Sequence, residues 1–339
     1  MIILYSVIIL CLIYTVTNGF QDGSSVAATP IMSRALSKFN TVVLVSIFEF
    51  SGAIFGGSKV ANTIHDISSF PIFHHSLLNI LCSALVAAIF WNYLTRILKF
   101  PSSSTHALVG GMIGSLWAAS LSFKYVVWGS LNAIYNSTGI YKIVISLFLS
   151  PLLGLLFGCL FYNFLLLILF KSSTKINKLL QKLQIFFTAI LAFGHGANDT
   201  QKAMGVMILA LECAKKTQYN TIPLWIRTYE GLAMALGIVL LAQGIVRRVG
   251  SGIFKIKPVH ALACQATSSC IIVTGSILGG PVSTSQIIAS SVMGVGMGDR
   301  YKGVHWYVAK DMIIAWCLTI PIAAVVSAIS YLSIFKYLK

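Results

Sequence analysis

The chain consists of long apolar stretches separated by short polar loops. The stretch "YKIVISLFLSPLLGLLFGCLFYNFLLLILF" at 141–170 exceeds the roughly 20 residues that a helix needs to cross a bilayer. The apolar runs are continuous and do not alternate with polar residues, which excludes an outer-membrane barrel. Because only helices and closed barrels satisfy their backbone in lipid, the pattern predicts an all-α polytopic membrane protein.

Ten apolar segments are predicted, five in each half. They cover residues 2–36 (interrupted), 41–64, 76–99, 105–121, 141–170, 183–211, 226–248, 257–279, 282–297 and 308–335. The intervening loop "KSSTKINKLLQK" carries four lysines and no acid, which places it on the cytoplasmic side. We therefore divide the chain into a first repeat at 1–170, a basic linker at 171–182 and a second repeat at 183–339.

The two halves contain the same polar landmarks in the same order. The motif "NGFQDGSSVAA" (18–28) aligns with "HGANDTQKAMG" (195–205) at an offset of 177. The motif "FPSSSTHALVGGMIG" (100–114) aligns with "GPVSTSQIIASSVMG" (280–294) at an offset of 180. Each half has five crossings, or three if its serine-rich segments form a re-entrant hairpin, and either number is odd. The second half therefore enters the membrane from the opposite side, as in the inverted repeats of secondary transporters.

Four of the eight carboxylates lie in apolar surroundings at repeat-matched positions: Asp22, Glu49, Asp199 and Glu230. A carboxylate at membrane depth costs at least about 2.5–3.5 kcal/mol, so such residues face a cavity or a partner. For Glu49 and Glu230, a polar contact between helices is the alternative. Glycines beside both aspartates predict helices that break there and line a cavity.

Each half also has a proline followed by hydroxyl residues, which is the pattern of a turn that leads into a helix. A helix N-terminus offers free N–H groups and the positive end of a dipole, and this arrangement binds anions. Ordinary N-capping is the alternative, but two matched turns beside two matched aspartates favour a binding site. The candidate donors are Ser103, Ser104, Thr105, Ser283, Thr284 and Ser285.

Anion donors combined with carboxylates narrow the class of ligand. Two aspartates repel a bare anion unless they hold a cation or accept hydrogen bonds from protons on the anion. Phosphate keeps one or two protons near neutral pH and sulfate keeps none, so the site suits phosphate carried with Na⁺ or H⁺. Asn18, Gln21, Asn198 and Gln201 supply amide oxygens suited to a hard cation. Lys202 is expected either to contact the anion or to pair with a carboxylate.

Composition excludes several other classes. The 24 basic and 8 acidic residues give a net charge of +16, but the basic residues cluster in short loops and no basic patch is interleaved with aromatics, so no nucleic-acid partner is predicted. The seven cysteines form no CxxC pair and no histidines have zinc spacing, so no metal centre or cofactor is expected beyond the coupling ion. His106 and His195 flank the motifs as candidate proton relays, and His74 and His75 are predicted to lie in a loop.

Two alternatives come from other functional classes. Asp22 and Asp199 could form the dyad of an intramembrane aspartyl hydrolase, but the chain lacks a GxGD motif and the serine turns would then have no role. A channel would also use carboxylates and broken helices, although two occluding hairpins favour alternating access. We therefore predict a transporter and not an enzyme.

The doubled motifs resemble those of a known family. "NGFQDGSSVAAT" and "HGANDTQKAMG" resemble the paired signature of the inorganic phosphate transporter (PiT) family, and "PSSSTHALVGGMIG" and "PVSTSQIIASSVMG" resemble its hairpin tips. The resemblance spans residues 10–335 and implies cation-coupled phosphate uptake, an inverted-repeat fold with re-entrant hairpins, and a homodimer. The short central loop indicates the compact prokaryotic form of the family, and the expected location is the plasma or inner membrane. By resemblance, phosphate and its coupled ion bind Asp22, Asn198, Asp199 and the hydroxyls at 103–105 and 283–285.

Two features leave the ligands open. The family also contains sulfate permeases, so sulfate or another oxyanion is an alternative substrate. Gln21 and Ser25 stand where the fuller family motif has asparagines, which affects the cation contacts of the first repeat more than the phosphate site.

Overall fold

The computed structural model describes residues 1–71, 76–130, 138–172, 176–214 and 221–334. Within these ranges the regular secondary structure is helical, and no β-strand is formed. The α-helices are α1 (Ile2–Met32), α2 (Lys38–Phe55), α3 (Lys59–His65), α4 (Ser76–Ile97), α5 (Ser104–Ser120), α6 (Gly139–Leu169), α7 (Ile176–Cys213), α8 (Leu224–Val239), α9 (Gln243–Arg247), α10 (Pro258–Leu278), α11 (Thr284–Arg300) and α12 (Trp306–Ile334).

Seven of these helices are long and apolar enough to span a membrane: α1, α2, α4, α6, α7, α10 and α12. The outer faces of such helices carry exposed apolar side chains, as Leu152, Leu156 and Leu160 do on α6. A soluble protein seldom exposes so much contiguous apolar surface. The predicted all-α, multi-pass membrane fold is therefore confirmed.

Two of the ten predicted segments are each divided in two by a break. Residues 41–64 form α2 and α3 with the break at residues 56–58, and residues 226–248 form α8 and α9. The second pair is bent by 69°, and a π-helical turn (Arg248–Gly252) follows α9. Helix α7, described from Ile176, overlaps the second part of the predicted linker at 171–182. The predicted histidine loop at 74–75 lies outside the described residues.

Helices of the two halves pack in matching pairs. Helix α1 packs against α8 and α4, and its counterpart α7 packs against α2 and α10. Helix α5 lies against α12, and α11 lies against α6. Each helix n of the first half thus corresponds to helix n + 6 of the second half, and corresponding helices pack against corresponding neighbours. This is the pattern expected of two copies of one structural unit. The opposite orientation of the two copies stays a prediction.

The prediction that α1 and α7 break at the glycines beside the aspartates is wrong. Both helices continue through these positions. A Cβ atom at Gly196 would lie 2.1 Å from the carbonyl oxygen of Glu49 on α2, and one at Gly19 would lie 2.6 Å from the carbonyl oxygen of Met234 on α8. Small residues of this kind let the backbones of membrane helices approach closely. The glycines therefore allow close crossings of α1 and α7 with their neighbours.

Two helical hairpins bring their turns into the interior. One is formed by α4 and α5 and the other by α10 and α11, and in both the helices pack on each other. The turn residues at 101–103 and 279–283 are buried. Helices α1 and α7, which carry the aspartate motifs and are called the motif helices below, also contact each other. Four elements therefore meet in the same region: the two motif helices and the two hairpin turns.

Candidate functional site

The two predicted aspartates come together where α1 and α7 cross. Ligand atoms of Asp22, His195 and Asp199 lie within 4.8 Å of one another, close enough to share a single cation. All three side chains have no solvent exposure. The crossing therefore places two carboxylates, one from each half, in one buried cluster, which we call the central cluster.

The two hairpin turns contact each other beside the central cluster. The Ser285 hydroxyl donates to the backbone carbonyl of Ser102 at 2.6 Å. The Thr105 hydroxyl donates to the backbone carbonyl of Val282 at 3.2 Å. These bonds are related by the same offset of 180 that aligns the two serine motifs, so each turn holds the other in the same way.

Hydroxyls at the helix starts reach the two aspartates. Ser104 donates to Asp22 Oδ2 at 2.5 Å, and its counterpart Thr284 lies 3.5 Å from Asp199 Oδ1. The residue before each has a local role. The Ser103 hydroxyl caps α5 by accepting from the backbone N–H of His106 at 3.1 Å, and the Ser283 hydroxyl lies 3.5 Å from that of Ser285.

Lysine, histidine and glutamate complete the charges of the central cluster. The Lys202 ammonium donates to Asp199 Oδ1 at 2.6 Å, so it pairs with a carboxylate as one of the two expectations had it. His195 lies between two acids, with Nδ1 2.6 Å from Glu49 Oε1 and Nε2 3.2 Å from Asp199 Oδ2. With Glu49 and Lys202 included, as from here on, the central cluster holds three carboxylates and at most two cationic side chains, all of them buried.

Glu230, the repeat counterpart of Glu49, has a different environment. Its Oε2 accepts from the Thr15 hydroxyl on α1, and its side chain is buried. This is the polar helix-to-helix contact that the sequence left as an alternative. Glu49, in contrast, joins α2 to the central cluster through His195.

Two matched amides fix the hairpin turns to the motif helices. Gln21 Nε2 donates to the carbonyl of Phe100 at 2.8 Å, and Asn198 Nδ2 donates to the carbonyl of Gly280 at 3.1 Å. Gln21 Oε1 and Asn198 Oδ1 are buried and make no hydrogen bond to any described part of the protein. The Asn18 amide is likewise buried, and both of its polar atoms lack a bond to a described residue. These oxygens are therefore available to a ligand.

The structure does not support Gln201 as a ligand of the coupling ion. Its Oε1 accepts from the backbone N–H groups of Val60 and Ala61, and its Nε2 donates to the carbonyl of Gly56. Gln201 thus satisfies the backbone groups that the break between α2 and α3 leaves free. Its repeat counterpart Ser24 has the equivalent role and accepts from the backbone N–H of Ala242 at the start of α9.

Sequence reasoning missed two side chains at the rim of the site. The Tyr14 hydroxyl donates to the carbonyl of Ser104 at 3.2 Å, and Gln286 Nε2 lies 3.2 Å from His106 Nδ1. Gln286 and His106 are aligned at the offset of 180, so the alignment contained a signal for this contact between the turns. Tyr14 lies within an apolar run and carries no comparable signal.

Comparison with known sequences gives consistent matches over almost the whole chain. The model of the phosphate transporter family matches residues 18–327. A probable low-affinity inorganic phosphate transporter of Bacillus subtilis is 36% identical over 98% of this chain and 97% of its own length. Proteins described in the same words from Mycobacterium bovis and Rhizobium meliloti are 32% and 30% identical, over 97% of this chain and 77% and 96% of their own lengths.

A solved structure has the same fold. The structure described as the sodium-dependent phosphate transporter superposes with a TM-score of 0.88, at 23% sequence identity, over 99% of this chain and 100% of its own. The sequence relatives and the fold are those of a transporter family and not of an enzyme. The aspartyl hydrolase alternative is thereby excluded.

Proposed function

The chain belongs to the phosphate transporter family, and we propose that it carries inorganic phosphate across the plasma or inner membrane together with a cation, by alternating access. The proposed phosphate site lies between the two hairpin turns and the two aspartates. One observation carries the proposal: acids and hydroxyl-bearing helix starts from both halves meet in a single buried cluster.

The helix starts supply the donors for an oxyanion. Helices α5 and α11 are each 17 residues long, so each presents a full dipole and free N–H groups at its first turn. The hydroxyls of Ser104, Thr105, Thr284 and Ser285 lie at these first turns. Two such helix starts facing each other suit a tetrahedral anion, because donors reach it from both sides.

The aspartates favour an anion that carries protons. Asp22 Oδ1 is buried and forms no hydrogen bond within the described chain. A carboxylate oxygen in this state costs free energy unless it receives a donor. A phosphate that keeps one or two protons can supply one and sulfate cannot, so the geometry supports phosphate as the substrate over sulfate.

Charge balance supports a coupled cation. The central cluster has three carboxylates and at most two cationic groups before the anion binds. Bringing in an additional negative charge without a cation would be costly in this buried environment. We propose Na⁺ or H⁺ as the coupled ion, with Asp22, Asn18 and the oxygen of Gln21 as candidate ligands, because each has a buried oxygen without a hydrogen bond to the described residues. The solved structure with the same fold is that of a sodium-dependent phosphate transporter, which supports Na⁺ as the coupled ion.

The hairpin turns are proposed as the gates. In this structure the central cluster is buried from all sides, so phosphate enters and leaves only if one turn moves away from the other. The contacts between the turns include two hydroxyl-to-carbonyl bonds, each worth about 1 kcal/mol net, which a bound ligand can replace. We further propose a homodimer with the loop before α7 on the cytoplasmic side, on the basis of the family resemblance and the lysine distribution.

Uptake by purified protein in liposomes tests the proposal. Labelled phosphate should accumulate to saturation under an imposed Na⁺ or pH gradient, and excess unlabelled phosphate should compete much better than sulfate. Asp22→Asn combined with Asp199→Asn should abolish uptake, whereas Asp311→Asn, at an exposed acid on α12, should not. Uptake without coupling would indicate a channel, stronger competition by sulfate would indicate a sulfate permease, and full activity of the double variant would refute the proposed site.

A further inference from the structure

Lys202 is held in an unusual way for a lysine of a membrane protein. Its side chain has no solvent exposure, and no other lysine or arginine in the described ranges is buried. Its ammonium donates to Asp199 Oδ1 at 2.6 Å, to the Val282 carbonyl at 2.9 Å and to the Thr105 hydroxyl. All three protons of the ammonium are therefore satisfied by oxygen atoms.

These three oxygens are the ligand types that a hard metal cation prefers. They are a carboxylate, a backbone carbonyl and a hydroxyl, and they come from α7 and from both hairpin turns. A free Na⁺ binds such groups without any covalent link to the protein. In this chain a positive charge occupies the position permanently, because it is attached to α7 through the lysine side chain.

The first half contains the same oxygens without the lysine. The repeat offsets place Asp22 opposite Asp199 and Ser25 opposite Lys202. On the turns, Ser285 and the Ser102 carbonyl correspond to Thr105 and the Val282 carbonyl, and they show the same mutual hydrogen bond. Asp22 Oδ1 and Ser25 Oγ are buried, and neither bonds to a residue that the structure describes. The two halves thus differ in one respect: the Lys202 ammonium lies beside Asp199 in the second half, whereas the first half has the uncharged Ser25 at the corresponding position.

We propose that Lys202 is a tethered counter-cation that replaces one freely exchanging cation of the transport cycle. Its ammonium neutralises Asp199 and joins the two hairpin turns, as a Na⁺ ion at that position would. The protein therefore takes no free cation on the second-repeat side, and only the Asp22 side is open to one. This inference rests on the proposed function, since it concerns the ion that accompanies the anion.

The proposal predicts that a new cation requirement arises when the lysine is removed. Lys202→Ser copies the residue of the first half and leaves the oxygens of the second position in place. In liposomes under a fixed pH gradient, the ratio of phosphate uptake in Na⁺ medium to uptake in choline medium should rise about tenfold over that of the wild type, within the usual range of coupling between two sites. Lys202→Arg and the exposed Lys302→Ser should keep the wild-type ratio.

A binding measurement keeps the test decisive if Lys202→Ser does not transport. The thermal midpoint of purified Lys202→Ser in detergent should rise with added NaCl relative to choline chloride, by more than that of the wild type, because a ligand that binds only the folded state stabilises it. An unchanged Na⁺ dependence in both assays would overturn the proposal. Failure of the wild type to take up phosphate would instead refute the proposed function, and the detergent assay, which contains no phosphate, distinguishes the two.

Discussion

Replacing Gly196 by alanine tests how α2 and α7 form the central cluster. The two helices cross so closely that an added Cβ would lie 2.1 Å from the Glu49 carbonyl oxygen, whereas real Cβ atoms essentially never approach closer than 3.0 Å. Gly52 is equally tight on the other side of the same crossing, with its added Cβ 2.1 Å from the Phe193 carbonyl oxygen. Both sides of this contact are backbone, so neither can move aside as a flexible side chain would.

The size of the expected effect follows from this geometry. Alanine at position 196 would require α2 and α7 to separate by about 1 Å, and overpacking of this kind costs about 1–3 kcal/mol. The same displacement would lengthen the contact between His195 and Glu49 from 2.6 Å to beyond the limit of a hydrogen bond. A misplacement of about 1 Å in a binding site can reduce the rate about 100-fold. Helix propensity alone predicts the opposite sign, because alanine in place of a helical glycine stabilises by about 1 kcal/mol.

Initial rates of phosphate uptake in liposomes and thermal midpoints in detergent measure both effects. Gly196→Ala should lower the thermal midpoint and reduce uptake by one to two orders of magnitude, that is, about 10- to 100-fold. Gly252→Ala is the matched control, because its added Cβ meets nothing closer than 3.5 Å, and it should leave uptake unchanged. A Gly196→Ala protein that is as stable and as active as the wild type would show that close approach of the helices is not the reason for this glycine.

Three further predictions concern individual side chains. Glu49→Gln should destabilise the protein by about 1.5–3 kcal/mol, because the buried His195 loses its charged acceptor. Glu230→Gln should destabilise it by no more than about 1 kcal/mol, because the Thr15 hydroxyl can still donate to an amide oxygen. Equal shifts of the thermal midpoint would contradict the different roles given to the two glutamates. Asn198→Ala should lower the stability by about 1–3 kcal/mol and slow phosphate uptake, since it leaves the Gly280 carbonyl of the hairpin turn without its donor. Unaltered uptake would mean that this amide does not position the turn. On the short helix α3, outside the seven candidate spans, Asp66 and then a glutamate of α7 raise the pKa of His65 from 6.5 to about 8. The stabilisation that protonated His65 provides should be complete below about pH 6.5 and lost as the pH rises through about 8. Thermal midpoints measured across this pH range should therefore fall less in His65→Gln than in the wild type, and identical profiles for the two proteins would refute this.

Repeat alignment predicted much of the site because it compares the chain with itself. Two offsets, 177 and 180, place Asp22 opposite Asp199 and the serine turns opposite each other. The same offsets relate the hydrogen bonds that join these residues in the structure. A polar residue at membrane depth is expensive, so its repetition at a matched position indicates a shared constraint.

Other features could not be predicted because they depend on which side chain reaches which backbone group. Glycine beside an aspartate is compatible with a broken helix and with a close helix crossing, and only the neighbouring backbone decides between them, as at Gly196. Gln201 has the composition of a cation ligand, yet a helix break beside it takes up both ends of its amide. Tyr14 reaches the site from an apolar run, where no local pattern distinguishes it from core residues.

In the proposed site, acids and helix starts from both halves enclose one phosphate ion. An experimental structure of the purified protein with bound phosphate tests it most directly. Anion density is expected between Asp22 and Asp199, in contact with the first turns of α5 and α11. Density bound elsewhere, with the two hairpin turns apart and both aspartates distant from the anion, would contradict it.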